Sequence, residues 1–289
     1  GALRPADHFL RQDLMLRSGL VGRSILASRS PWLHEQEARA QGLELTYELF
    51  DFTARELDDA QLGPLLRRLS DEGFCGVNVT FPFKQAVIPL LDGLAECAAS
   101  VGAVNAVAMR DGRLIGYNTD KTGFQDSLAE GLPGAALDRV LQLGAGGAGA
   151  AVANALLSLG VGQLEIADVD LARAGELAAR LCENHGAGRA SARDLTALDT
   201  AAIDGIVNTT PMGMASKPGM ALAADLIAPR HWVADIVYFP LETELLRTAR
   251  ERGCRVLDGS GMVIGQAAMA FEIFTGHKAD RQRMRRTFL

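Results

Sequence analysis

The sequence predicts an α/β protein of two domains, and three observations carry that prediction. A length of 289 residues suits about two domains at roughly 150 residues each. Short apolar runs of strand character alternate with helical stretches along most of the chain, the pattern of a parallel sheet covered on both faces. Glycine, at 31 residues, gathers at the joints between these runs, and one joint reads G-x-G-x-x-G.

Composition narrows the class. The chain is 48% hydrophobic and 22% charged, which is ordinary for a soluble globular protein. It is long enough to bury a sizeable core without staples. Its 29 basic and 35 acidic residues leave a formal net charge of −6, which argues against a polycation that grips nucleic acid. No run approaches the roughly 20 apolar residues of a membrane span. The opening GALRPADHFLRQ places charge before any apolar run forms, unlike an export signal, and a cytoplasmic location is expected. Cys75, Cys97, Cys182 and Cys254 stand far apart with no C-x-x-C pair. Neither a zinc ribbon nor a disulfide framework is expected from that spacing, nor any metal site.

In the first half, strands are expected over residues 19–25, 47–52, 74–79, 103–108 and 113–117, with helices over 32–40 and 57–70. A second series of strands is expected at 139–143, 163–167, 205–208 and 233–237, with helices at 148–159, 171–182 and 241–252. The joints near 118–120 and 258–261 divide the chain into residues 1–119, 120–258 and 259–289. The apolar stretch 262–274 reads as a long helix. It is expected to return to the first domain, because the second has its strands without it. Arg281, Arg283, Arg285 and Arg286 read as the solvated face of a closing helix.

The loop Gly144-Ala145-Gly146-Gly147-Ala148-Gly149 lies between an expected strand and an expected helix. That context makes it a dinucleotide loop: glycines allow a tight turn and a close approach of backbone to pyrophosphate. The helix N-terminus offers free N–H groups to the phosphates. Asp168 follows the next strand, about 20 residues beyond the loop, where an acid accepts from the ribose 2′-OH. The same carboxylate repels a 2′-phosphate. Val169 follows it and the nearest arginine, Arg173, is a helical turn further on, so NAD is expected over NADP. A Rossmann dinucleotide-binding second domain is the reading of this half.

Three features of the first half have both a local and a functional reading. Lys84 falls in the first turn of a helix with Pro82 at its first position; a cation there opposes the macrodipole. Ser30, with Pro31 behind it, suits a helix N-cap, while Ser28 and Ser30 together could cradle a carboxylate. Asp120 in Asn118-Thr-Asp120 could cap the next helix or act in a site.

At these residues the chain resembles the shikimate/quinate dehydrogenase family. Gly22-Arg-Ser-Ile-Leu-Ala-Ser28-Arg-Ser30-Pro31 is similar to the family's G-x-P-I-x-H-S-x-S-P, and Asn78–Lys84 to N-V-T-x-P-F-K. Gly102-Ala-Val-Asn105-Ala resembles G-A-V-N-T, Asn118-Thr-Asp120 resembles N-T-D, and Gly144–Ala148 resembles G-A-G-G-A. Three further matches follow in order: Asn208–Met214, Asp235–Leu246 and Asp258–Gln266.

The resemblance implies an N-terminal substrate domain, a Rossmann domain and reversible hydride transfer between NAD and the ring alcohol of shikimate, with quinate as a second substrate. It implies Lys84 and Asp120 as the catalytic pair. Ser28 and Ser30 would hold the substrate carboxylate, with Thr80, Asn105, Tyr238 and Gln266 at the remaining substrate-contacting positions. The dinucleotide would take Gly144, Ala145, Gly146, Gly147, Ala148 and Asp168, with Ile236 and Gly259 near the nicotinamide. Ala27 stands where the family carries His. NADP-using members carry Asn-Arg-Thr where this chain has Asp168-Val-Asp170, which points to the NAD-dependent branch. Ser30 stands where quinate-adapted members carry Thr, which hints at shikimate. Expected partners are a small ring hydroxy acid and the cofactor, with no nucleic acid or membrane, in a monomer or homodimer. A dehydrogenase of an amino-substituted ring acid and a non-catalytic NAD-bound regulator are the rival readings.

Overall fold

The computed structural model describes residues 15–289; the opening segment read above as unlike an export signal lies outside the described residues. The first sheet contains β1 (Leu16–Gly22), β2 (Leu45–Asp51), β3 (Gly76–Val79), β4 (Gly93–Leu94), β5 (Ala106–Arg110) and β6 (Arg113–Tyr117), in the order β2-β1-β3-β5-β6-β4. It is mixed rather than wholly parallel, because β5 runs antiparallel to both β3 and β6. For β5 and β6 the cause is local: Asp111 and Gly112 both have positive φ and close a two-residue hairpin of the Asp-Gly kind. Helices α1 (Ser30–Ala40), α2 (Leu62–Asp71), α3 (Phe83–Ala86) and α4 (Glu96–Val101) connect and cover it. Leu62, Leu65, Leu66 and Leu69 form one buried stripe of α2, the spacing of a single helix face.

The second sheet is parallel throughout. It contains β7 (Arg139–Leu143), β8 (Gln163–Ala167), β9 (Ala190–Arg193), β10 (Gly205–Asn208), β11 (Trp232–Asp235) and β12 (Arg255–Leu257) in the order β12-β11-β10-β7-β8-β9. This is the doubly wound arrangement, with its switch point between β7 and β10. Helices α6 (Gly147–Ser158), α7 (Leu171–His185) and α8 (Glu244–Glu251) accompany it. The edge strands β9 and β12 escape a reading by apolar runs, since their residues are mostly half-buried or exposed.

Two long helices join the sheets. α5 (Thr119–Gly131) leads from β6 to β7, and α9 (Ser260–Thr275) leads back from β12. They cross closely: a Cβ on Gly123 would lie 2.8 Å from the Gln266 nitrogen and the Met262 oxygen. α9 buries residues on all its sides, as expected of a helix packed between partners. Its Ala270 and Phe274 pack with Ala106 of β5, so the helix does return to the first sheet. α10 (Arg281–Phe288) closes the chain against α1. Arg283 does not stay on a solvated face there: it pairs with the buried Glu37 at 2.7 Å. Arg281 pairs with Asp126 at 2.8 Å. Among the described residues no helix is long and apolar enough to cross a membrane, and the cysteines are free thiols.

Candidate active site

The carboxyl ends of the second sheet's strands face the first domain across a cleft of about 880 Å³. Its walls include Thr80, Pro82 and Lys84 on one side and Ala145, Gly146, Gly147 and Ala148 on the other. One space therefore touches both the lysine segment and the glycine loop.

The glycine loop is built from below. Gly144 has φ of +101°, and a Cβ there would come within 2.6 Å of Thr209 Oγ1. Thr209 donates that hydroxyl to the Leu143 and Gly144 carbonyls, tying the end of β10 to the loop. Buried Gln142 donates to the carbonyls of Gly144 and Gly149 at 2.9 and 2.8 Å. Toward the cleft the arrangement is open: a Cβ on Gly146 would meet nothing within 4 Å. No side chain caps α6. The loop thus leaves backbone donors and space where a pyrophosphate needs both, and these residues fit a dinucleotide.

Asp168 is buried at the end of β8. Its carboxylate accepts from the N–H groups of Ala145 and Asp170, both at 2.8 Å, and from Arg173 at 2.7 Å. Burial pushes the carboxyl up, but these donors hold it below the ordinary aspartate range. Asp168 is not the helix cap; Asp170 caps α7 by accepting from the Arg173 N–H. The separation of Arg173 from this tip, inferred from sequence distance, is corrected: the first turn of α7 folds the guanidinium back onto the acid. Val169 is 90% exposed.

Lys84 Nζ lies 2.7 Å from Asp120 Oδ2. Both side chains are mostly buried, 24% and 13% exposed. The helix holding Lys84, α3, is only four residues long with Pro82 as N-cap residue. Pro82 is therefore outside the helix, and so short a helix has little macrodipole for the lysine to oppose. Asp120 does not cap α5 either. Asn118 does, accepting from the Lys121 N–H, which leaves the Asp120 carboxylate to the lysine. Asn105 is buried behind this pair. Its Oδ1 accepts from the Thr119 N–H at 2.7 Å and its Nδ2 donates to Thr119 Oγ1 at 2.9 Å. In this structure the Asn105 side chain holds the backbone that presents Asp120.

Ser30 is the first residue of α1 rather than its N-cap. Arg29 stands in the cap position, and its side chain makes no capping bond. The Ser30 N–H donates to Ser28 Oγ at 3.2 Å, so Ser28 performs the local service expected of Ser30. Asp51 at the end of β2 anchors this turn, accepting from the N–H groups of Ser24 and Ile25 at 3.0 and 2.7 Å.

Ile236 and Gly259 meet, since a Cβ on Gly259 would lie 2.5 Å from the Ile236 oxygen. Asp235 ties that region together, accepting from Asn208 Nδ2, the Val237 N–H and Thr243 Oγ1 at 3.0, 3.0 and 2.8 Å. Burial pushes this carboxyl up, against the pull of those donors. Gln266 is half-buried on α9, and Tyr238 is 47% exposed. Of the expected site residues, Thr80, Lys84 and Ala145 to Ala148 line the 880 Å³ cleft, while Ser28, Ser30, Asn105, Asp120, Gly144, Asp168, Ile236, Tyr238, Gly259 and Gln266 stand outside its walls. Gln142, Thr209, Asp235 and Arg173 escaped the sequence reading as site residues. Gln142 left a signal there, being a polar residue inside an apolar strand flanking the glycine loop.

The comparisons with known proteins agree on the family and differ in the cofactor of the relatives. A model described as the shikimate dehydrogenase substrate binding domain matches residues 20–107. A model described as the shikimate 5′-dehydrogenase C-terminal domain matches residues 259–287. A shikimate dehydrogenase (NADP(+)) of Streptomyces avermitilis is 53% identical over 269 residues, covering 92% of this chain and 92% of the relative. A quinate/shikimate dehydrogenase (NAD(+)) of Corynebacterium efficiens is 48% identical over 276 residues, covering 94% and 96%. The solved quinate dehydrogenase from Corynebacterium glutamicum in complex with NAD superposes with a TM-score of 0.90 at 45% identity, covering 95% of this chain and 98% of that one.

Proposed function

The chain belongs to the shikimate dehydrogenase family, and from that premise we propose that it oxidises the ring secondary alcohol of shikimate, and of quinate, reversibly with a nicotinamide dinucleotide. The products are 3-dehydroshikimate and 3-dehydroquinate. The observation that carries the reading is the Lys84–Asp120 pair at 2.7 Å, whose lysine lines the cleft shared with the glycine loop.

The dinucleotide, when bound, supplies the hydride acceptor. The chain's own residues do the rest. Lys84 Nζ exchanges the proton of the reacting hydroxyl, and Asp120 Oδ2 fixes the position of that nitrogen. Asn105 sets the backbone from which Asp120 projects, through Thr119. Ser28 and Ser30 take the ring carboxylate, with Thr80, Tyr238 and Gln266 orienting the ring. Gly144 to Ala148 receive the pyrophosphate, and Ile236 and Gly259 bound the nicotinamide side. Asp168 takes the adenosine ribose, which makes NAD the preferred cofactor over NADP. A mostly buried Lys–Asp pair suits proton exchange, because a general base works best held in reach of its proton.

A steady-state panel tests the reading: shikimate, quinate, dehydroshikimate and aminoshikimate, each with NAD(H) and NADP(H). Turnover of shikimate or quinate is expected, faster with NAD. No turnover of either acid with either cofactor overturns the assignment, and turnover confined to the amino compound moves it to that acid.

A further inference from the structure

Phe288, at the end of α10, touches residues on both sides of the substrate region. Its carbonyl accepts from Arg29 Nη1 at 2.9 Å, and the Arg29 guanidinium carbon lies 5.5 Å from its ring centroid. That is within reach of a cation–π contact. Arg29 stands between Ser28 and Ser30 and occupies the cap position of α1. The Phe288 ring packs in part on the cluster of Leu33, Ile264 and Met284 and also meets Tyr238, at 5.9 Å between centroids and 59° between planes, inside the range of aromatic pairs. Tyr238 follows β11 of the second domain and is otherwise 47% exposed.

The helix that carries Phe288 is firmly placed. Glu37 of α1 is almost fully buried and accepts from Arg283 Nε and Nη2 at 2.8 and 2.7 Å, and from the Asp280 N–H at 2.9 Å. Met284 is buried with Leu33 and Ile264. α10 is therefore a fixed element, and its last turn extends from the first domain to a loop of the second. Elsewhere the Tyr238 segment is tied to its own domain through Asp235, which accepts from the Val237 N–H; nothing in that bond fixes the Tyr238 ring.

From this we infer that Phe288 is a positioning residue: it holds the Tyr238 ring and the Arg29 turn together, so that the two sides of the ring-acid site keep one relative geometry. The inference rests on the functional reading above for the roles of Ser28, Ser30 and Tyr238. Removing the ring frees Tyr238 and the serine turn without touching the glycine loop or the Lys84–Asp120 pair. The deficit should fall on the acid substrate and spare the dinucleotide.

Phe288→Ala and Phe288→Tyr test this against wild type, by two readouts. Hydrogen exchange of the backbone over residues 236–240 should quicken in Phe288→Ala and return to the wild-type rate in Phe288→Tyr. KM for the ring acid should rise about three- to tenfold in Phe288→Ala, the effect of losing one aromatic and one cation–π contact. KM for the dinucleotide should stay within about twofold, and Phe288→Tyr should restore the acid KM. Unchanged exchange in Phe288→Ala overturns the inference even if wild type turns over no ring acid, the outcome that overturns the functional reading alone. Faster exchange with an unmoved acid KM in an active enzyme also overturns it, and so does an equal rise in both KM values.

Discussion

Arg173 Nη2 lies 2.7 Å from Asp168 Oδ1, so the acid at the tip of β8 is paired with a guanidinium from the helix that follows it. Asp168 is the buried member and Arg173 the half-exposed one, with side chains 4% and 49% exposed. The tip therefore carries both an acceptor suited to a ribose diol and a cation suited to a phosphate. Which of them meets the cofactor depends on whether the carboxylate is there to occupy the guanidinium.

Cofactor choice is the first consequence. Wild type should prefer NAD, since a lost charged hydrogen bond plus repulsion of a 2′-phosphate is worth roughly 30- to 1,000-fold in kcat/KM. Asp168→Asn releases Arg173 and should move the preference toward NADP, and Asp168→Asn with Val169→Arg should narrow or invert it. Arg173→Ala should harm NADP more than NAD. Measured kcat/KM for both cofactors decides; NADP equal to or better than NAD in wild type removes Asp168 from the ribose site.

Proton transfer is the second. Lys84→Ala should lower kcat by about 100-fold or more, the usual contribution of a positioned general base. Dinucleotide affinity, followed by titration of NADH fluorescence, should persist. A kcat within about threefold of wild type would be too small a loss for that role.

The serine turn is the third. Ser30→Ala should raise KM for the ring acid more than it lowers kcat, because a carboxylate contact is shared by ground and transition states. Ser28→Ala should do the same and also cost about 0.5–1 kcal/mol of stability, since Ser28 Oγ accepts the Ser30 N–H. Thermal melts and Michaelis curves on both variants check the pair. An acid KM unmoved in both places the carboxylate elsewhere.

Acid stability is the fourth, and it concerns His34. This ring is 1% exposed, its Nδ1 has no hydrogen-bond partner, and Tyr47 lies 4.6 Å away between ring centroids. Burial pulls its pKa from 6.5 down to about 4. The unfolded chain binds a proton there below about pH 6.5 while the folded ring stays neutral to about pH 4. Stability from this site is thus full above pH 6.5 and erodes as the pH falls toward 4, by about 3 kcal/mol in all. Urea unfolding of His34→Leu at pH 7 and pH 4.5 should show a shallower fall than wild type. Parallel falls would mean that His34 is protonated in the folded state.

Much of this protein was legible in its residues, for a local reason. A buried parallel strand must be apolar along its length, so β7, β8 and β10 announce themselves, and a phosphate loop needs glycines at set spacings. The first sheet was harder. The residues from 103 to 117 read as two strands, and only the Asp111-Gly112 turn shows that they run antiparallel. The helix starts differ by one residue from the expectation at Ser30 and Pro82, and of the two readings open for Asp120 the cap is taken by Asn118, because several adjacent polar or proline residues suit a helix start and only hydrogen bonds choose among them.

The sequence by itself determined the α/β class, the Rossmann half, the glycine loop with its acid, and the motifs that place the chain in its family. Each of these depends on residues near one another along the chain. The tertiary structure decided the rest: that Lys84, on the wall of the cleft, pairs with Asp120, 36 positions away, that Arg173 turns back on Asp168, and that Phe288 reaches Arg29 across 259 positions. Contacts of that kind depend on where helices cross, as at Gly123 of α5, where a Cβ on Gly265 of α9 would lie 3.0 Å from its Cα. Such crossings follow from the packing of the whole core rather than from any local pattern.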